Sequence, residues 1–271
     1  MNPKCLKTMS LILACLALLL AAACEKNPIE QKKSAPALPP AKAMSVDLSV
    51  FTQKPALFKG AMDSTQTNFN NAAVRVAVIN TLVLLGLAAP TATFAAAASQ
   101  NPTLERDGKF HWVYQAQHGL NTYQADLAGW VESNKIKWEM RVTVPSALPP
   151  LTDYLWYDGW SNLTNTSGQW HFYDATKPAG QSEVIRLDWS YTGLLDRSAT
   201  FTNVSPNPEA NGDVLEYQIA GTACSISFFD HSEDITAIIG WDAVTTAGYI
   251  EVPLYHGGET AYWDENHYDL N

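Results

Sequence analysis

Lys135-Ile136-Lys137-Trp138-Glu139-Met140-Arg141-Val142 alternates without a break: every second residue is apolar and the residues between are charged. An extended chain turns successive side chains to opposite faces, so this octet predicts a strand with one buried and one wet face. Outward from it the same period recurs at Phe110, Trp112 and Tyr114, at Trp170 and Phe172, and at Ile185, Leu187, Trp189 and Tyr191. It returns at Leu215, Tyr217 and Ile219 and at Ile250, Val252 and Leu254. Cys224, Ile226 and Phe228 alternate in phase too, which puts the Cys224 thiol among apolar neighbours on an inner face. Between these runs the pairs Asp107-Gly108, Asp158-Gly159, Ser167-Gly168, Asn211-Gly212 and Gly257-Gly258 read as turns. The pattern predicts an antiparallel meander of about nine to twelve strands over roughly residues 108–268.

What precedes the meander is different. From Ala72 to Ala98 the sole charge is Arg75. Asn80, Thr81, Thr91, Thr93 and the break expected at Pro90 argue against a membrane span. The stretch predicts two helices within about residues 67–99, one from Thr67 to Leu87 and one opening at Pro90, closed by Asn101-Pro102. Helices apolar on nearly all sides need enclosure by protein. A flat sheet of so many strands is unusual, because twist accumulates. The expected fold is therefore α+β, mainly β: N-terminal apolar helices covered by a strongly curved antiparallel meander sheet or incomplete barrel, in one domain of residues 47–271. In outline this is similar to the open-barrel lipoprotein carriers of the bacterial envelope. The likeness is architectural, with no motif attached to it.

The N-terminus carries Lys4 and Lys7, then an uncharged run from Met9 to Ala23 that has the form of a secretory signal. It ends in Leu20-Ala21-Ala22-Ala23-Cys24, which resembles the lipobox of bacterial lipoproteins, although Ala21 stands where a larger aliphatic residue is more usual. The resemblance implies a signal peptide of residues 1–23 and lipid on Cys24. Acyl chains contribute about 0.8 kcal/mol per buried methylene, so several make a lasting membrane anchor. In Gram-negative lipoproteins an Asp after the cysteine favours the inner membrane. Glu25 stands here, so the resemblance implies anchoring at the outer membrane, with the leaflet open. Residues 24–46 hold Lys26, Lys32, Lys33 and Lys42 among Pro28, Pro36, Pro39 and Pro40, and read as a tether.

The processing changes the cysteine and charge arithmetic. Cys5 and Cys15 leave with the signal and Cys24 takes lipid, so Cys224 is the mature domain's one thiol and an internal disulfide is excluded. The formal charge of −10 becomes −12 once Lys4 and Lys7 are removed. After Arg197 there is no Lys or Arg, while twelve acids follow from Glu209 to Asp269. Nucleic acid is a poor partner for such a surface. No Asp-x-Asp-x-Asp-Gly loop accompanies the acids, so calcium is not indicated.

No nucleophile elbow, His-Glu-x-x-His, phosphate loop or Gly-x-Gly-x-x-Gly is present, and the sequence points to no catalytic residue, cofactor or metal. Two clusters carry potential chemistry. His231, Glu233 and Asp234, followed by His256, Glu259, Asp264, His267 and Asp269, combine imidazole with carboxylate and fit a hydrolase if they converge. Tyr154, Trp156, Tyr157 and Trp160 crowd about Asp158-Gly159 and fit a surface that stacks on sugar rings, provided two of them are exposed. The leading expectation is a membrane-anchored envelope lipoprotein, probed through an apolar cavity between helices and sheet, that binds an apolar ligand or a partner protein without catalysis. A glycan-binding module and a hydrolase are the alternatives.

Overall fold

The computed structural model describes residues 34–52 and 65–270, and in the long helix omits the side chains of residues 80–85. The signal peptide, Cys24 and the tether as far as residue 33 lie outside the described residues. A single turn, α1 (Ser49–Thr52), precedes the long helix α2 (Thr67–Ala97). The strands follow as β1 (Thr103–Leu104), β2 (Phe110–His118), β3 (Asn121–Glu132), β4 (Lys135–Val144), β5 (Leu151–Asn162), β6 (Ser167–Tyr173) and β7 (Glu183–Gly193). Then come β8 (Asp196–Asn203), β9 (Val214–Ala220), β10 (Ala223–Asp230), β11 (Ile235–Asp242), β12 (Gly248–Glu251), β13 (Ala261–Trp263) and β14 (Asp269–Leu270). The protein is mainly β: among the described residues fourteen strands form one antiparallel sheet in sequence order, and it is not closed.

The deciding octet is β4, with Ile136, Trp138, Met140 and Val142 buried and Lys137, Glu139 and Arg141 half-buried on the other face. Cross-strand register carries its inner face sideways through Phe110, Gly129, Trp138, Gly159, Trp170 and Leu187. Glycine alternates with tryptophan for a steric reason. A Cβ on Gly159 would lie 2.1 Å from the Gln169 carbonyl oxygen and 2.8 Å from the Trp170 ring. Asp158-Gly159 and Ser167-Gly168 are thus inside β5 and β6 rather than turns, because here glycine makes room for a neighbouring ring and strand. The run Ile250, Val252, Leu254 also ends early: β12 stops at Glu251, and Leu254 is 85% exposed.

Two further expectations are corrected. The helix does not break at Pro90 but runs through it as one element. Proline removes the hydrogen bond to the carbonyl four residues back, that of Gly86, which is exposed and open to water. The helix is also not enclosed all round: Ala72, Ala73, Val76 and Ile79 are buried while Val74 and Val78 are 42% and 57% exposed. Among the described residues, no helix is long and apolar enough to cross a membrane.

The compact unit begins at Ala35, earlier than the tether expected to residue 46. Ala43, Met44, Leu48 and Phe51 are core residues, and Phe51 meets the Trp241 ring edge-on at 5.1 Å. A buried relay fixes the entry of this segment. Trp138 Nε1 donates to Ser161 Oγ (3.0 Å), Ser161 to Asn165 Oδ1 (2.6 Å), and Asn165 Nδ2 to the Ala37 carbonyl (2.7 Å). The prolines and lysines suggested solvation; the apolar residues between them bury instead. At the other end of the chain, the Asp269 carboxylate accepts from the Thr67 and Asn68 N–H groups at 3.0 and 2.8 Å, capping α2 from β14.

Candidate functional site

The pairing of β4 with β5 slips between Met140 and Arg141: Met140 faces Tyr157, while Arg141 faces Leu155. The extra residue turns two consecutive side chains to the same side. Trp156 and Tyr157 therefore both point inward, at 7% and 0% exposure. Trp156 stacks on Tyr123 at 5.1 Å, and Tyr157 meets the Trp170 ring at 5.7 Å. Tyr154 is buried as well, and burial, with the charge of Asp174, pushes its hydroxyl up to about 12. Of the four aromatics expected to form an exposed platform, Trp160 is the one that stays half-exposed on the outer face. The expected quartet does not form one exposed platform.

The structure pairs Trp160 with a residue the sequence reading did not single out. On the outer face, register aligns Trp130, Lys137 and Trp160 in one row across β3, β4 and β5. Two strand spacings put the tryptophan backbones about 10 Å apart, with Lys137 between them. Trp130 is out of phase with buried Tyr123, Ala125 and Leu127, and that phase break was the available signal. Each ring is backed by an ammonium: Lys109 Nζ lies 3.9 Å from the Trp130 centroid, and Lys135 Nζ 3.3 Å from that of Trp160. Lys109 also donates to Glu139 Oε2 at 3.0 Å.

The next row, Glu139, Asp158 and His171, lies beside the tryptophans and completes a groove of about 240 Å³. His171 Nδ1 is 3.0 Å from Asp158 Oδ1 and its Nε2 is 2.9 Å from Gln169 Oε1, while Tyr173 donates to Asp158 Oδ2 at 3.0 Å. The hydrogen bond to Asp158 raises the His171 pKa above its ordinary value against the opposing effect of burial. Among the described residues, Lys137 has no carboxylate partner. The groove thus holds two indoles, one ammonium without a carboxylate partner and an oriented imidazole, beside the carboxylates of Glu132, Glu139 and Asp158.

The histidines that a hydrolase would need to bring together sit on separate connections. His231 lies after β10 and His256 after β12, with its ring 4.7 Å from that of Tyr255. His267, between β13 and β14, is buried and stacked on Phe69 at 3.8 Å, with Nε2 3.0 Å from Thr246 Oγ1. Among the described residues, no group of three His, Cys, Asp or Glu side chains is placed to hold a metal ion. On the inner face, Ile185, Phe201, Leu215 and Phe228 line an apolar cavity of about 180 Å³. Cavities that hold small ligands are usually about 300–1,000 Å³.

Comparison with protein-family models, with curated proteins and with solved structures matches none of them to this chain.

Proposed function

We propose that this chain is a membrane-anchored envelope lipoprotein, held at the outer membrane by acyl chains on Cys24, whose sheet domain is a non-enzymatic binding module. In this reading the sheet is an incomplete barrel curled about α2. Support comes from contacts at both margins of the meander. Asp269 of β14 caps the start of the helix, and Tyr114 of β2 donates to the Thr93 carbonyl near its end at 2.6 Å.

The module's ligand is a glycan carrying a carboxylate. The observation that carries this is the outer-face row Trp130, Lys137, Trp160: two indoles for sugar faces, and between them an ammonium without an acid partner among the described residues. Apolar cargo fits less well, because the inner-face cavity of about 180 Å³ would have to enclose a lipid chain, whereas a glycan needs only to lie along an open groove. The test is calorimetric titration of the full-length chain, in a zwitterionic detergent, with polygalacturonate oligomers. Saturable binding that weakens at least tenfold in Trp160→Ala and in Lys137→Met is expected. Binding unchanged in both variants would sink the reading. Mass analysis for acyl chains on Cys24 tests the anchor separately.

Docking of a partner protein is the second reading. Leu120 and Leu148 are fully or nearly fully exposed, at 102% and 93%, on the β2–β3 and β4–β5 connections. Ser146 donates to Asn121 Oδ1 at 3.0 Å, which holds these two tips together.

A further inference from the structure

A second groove lies on the outer face of the later strands. Register aligns Gln218, Ser225, Gly240 and Tyr249 in one row across β9, β10, β11 and β12. The two central members carry a single hydroxyl and no side chain at all, so the row is low in the middle and high at its ends. A Cβ on Gly240 would lie 2.3 Å from Tyr249 Cε1, so the phenol ring leans down over the glycine. Tyr249 also lines a cavity of about 390 Å³. Gln218 and Ser225 line this cavity, and among the described residues neither side chain is committed to a hydrogen bond. Tyr262, 50% exposed, adds a second ring at 6.1 Å.

Charge decides what such a groove accepts. Its lining holds no Lys, Arg or His. Arg197, the last cation in the sequence, is turned inward, 8% exposed and 5.4 Å from the Tyr217 ring. The one carboxylate in the lining, Asp242, is taken up by Thr222 Oγ1 (2.5 Å) and by the Val244 and Thr245 N–H groups (2.9 and 2.8 Å). What remains in the lining besides it is the Tyr249 ring, an amide and a hydroxyl, in a cavity of the size that holds small ligands.

We propose that the row Gln218, Ser225, Gly240, Tyr249 is a second binding site, for an uncharged sugar ring stacked on Tyr249 with its hydroxyls bonded to Gln218 and Ser225. The site is independent of the Trp130–Trp160 groove and selects against the acidic sugars proposed there. The test is titration of the full-length chain, in zwitterionic detergent, with cellohexaose and maltohexaose, by calorimetry and by NMR. At least one is expected to bind saturably, and Tyr249→Ala and Ser225→Trp each to weaken it at least tenfold. Trp160→Ala is expected to leave it unchanged. Ser225→Trp fills the groove from an outward position, so it separates loss of the site from loss of folding, which thermal melting monitors. Absence of saturable binding by both sugars overturns the proposal, as does binding that survives Ser225→Trp. Loss of neutral-sugar binding in Trp160→Ala overturns it too, by assigning that binding to the other groove. None of these results touches the polygalacturonate titration, so the two sites stand or fall separately.

Discussion

The row that begins at Trp130 and the row that begins at Gln218 use the same sheet and the same pleat, yet they differ in chemistry. In the early strands glycine serves the interior. Gly129, Gly159 and Gly168 each lie under a tryptophan ring of the buried face, and the outer face above them is free to carry Lys137, Glu139 and Asp158. In the later strands Gly248 does the same for Trp263, but Gly240 serves the outside by accepting the Tyr249 ring. The early groove is charged and backed by lysines; the later one has no cation. The comparison teaches that register decides which face of the sheet an aromatic occupies, while a glycine opposite it makes room for the ring to lie down there, in the core or on a surface.

The sharpest way to break this comparison is one substitution made in each half. Gly159→Ala sets a methyl against the Gln169 carbonyl, a backbone atom that cannot move aside. It should cost about 3 kcal/mol of stability, read by chemical denaturation. A cost as small as that of an ordinary surface change would mean the early strands are looser than their register implies. Next in size is Asp269→Ala, which deprives the start of α2 of its distant cap. A loss of about 2 kcal/mol is expected, and no loss would show that the last strand does not hold the helix.

Gly240→Ala should cost less, about 1 kcal/mol, because the atoms it meets belong to a ring on the outer face that can swing away. Its larger effect should fall on cellohexaose or maltohexaose binding, with polygalacturonate unaffected. Equal costs for the two glycine substitutions would remove the distinction between the halves. The smallest effect is that of pH. The His171 pKa is raised by its bond to Asp158, with Glu183 adding to it and Arg186 opposing it. Its stabilising contribution is therefore complete below the ordinary value of 6.5 and is lost as pH rises through the raised one. Polygalacturonate should bind more weakly at pH 8 than at pH 6, and His171→Gln should flatten that difference. The later groove has no histidine in its lining and should show no such dependence.

Much of the sheet was legible because a two-residue period is a local property. Lys135 to Val142 states its own burial pattern, and β2, β6, β7, β9 and β10 follow from the same rule. The order of helix before hairpins was equally plain. Of the local signals that misled, three show why. Asp158-Gly159 has the composition of a turn, but its glycine answers to Trp170 and Gln169, residues of the next strand. Pro90 has the composition of a break, yet the helix continues past it. Pro36, Pro39 and Lys42 have the composition of a tether, yet Ala43 and Met44 bury against the sheet.

The candidate sites were less legible, for a related reason. The sequence pointed to clustered aromatics about Asp158-Gly159 and to a last third without cations, and Trp160 and the missing cations both reappear in the grooves. It grouped Tyr154, Trp156, Tyr157 and Trp160 because they are neighbours along the chain. The slip between Met140 and Arg141 sends Trp156 and Tyr157 to one face, and register gives Trp160 a partner thirty positions away, Trp130. By itself, then, the sequence determined the alternation, the meander, the charge asymmetry and the resemblance of Leu20 to Cys24 to a lipobox, because each is written in adjacent residues. The tertiary structure alone decided which aromatics share a face and which polar groups line a groove. Those depend on strand register and on one bulge, and a shift of one residue in either exchanges the inside of the sheet for its outside.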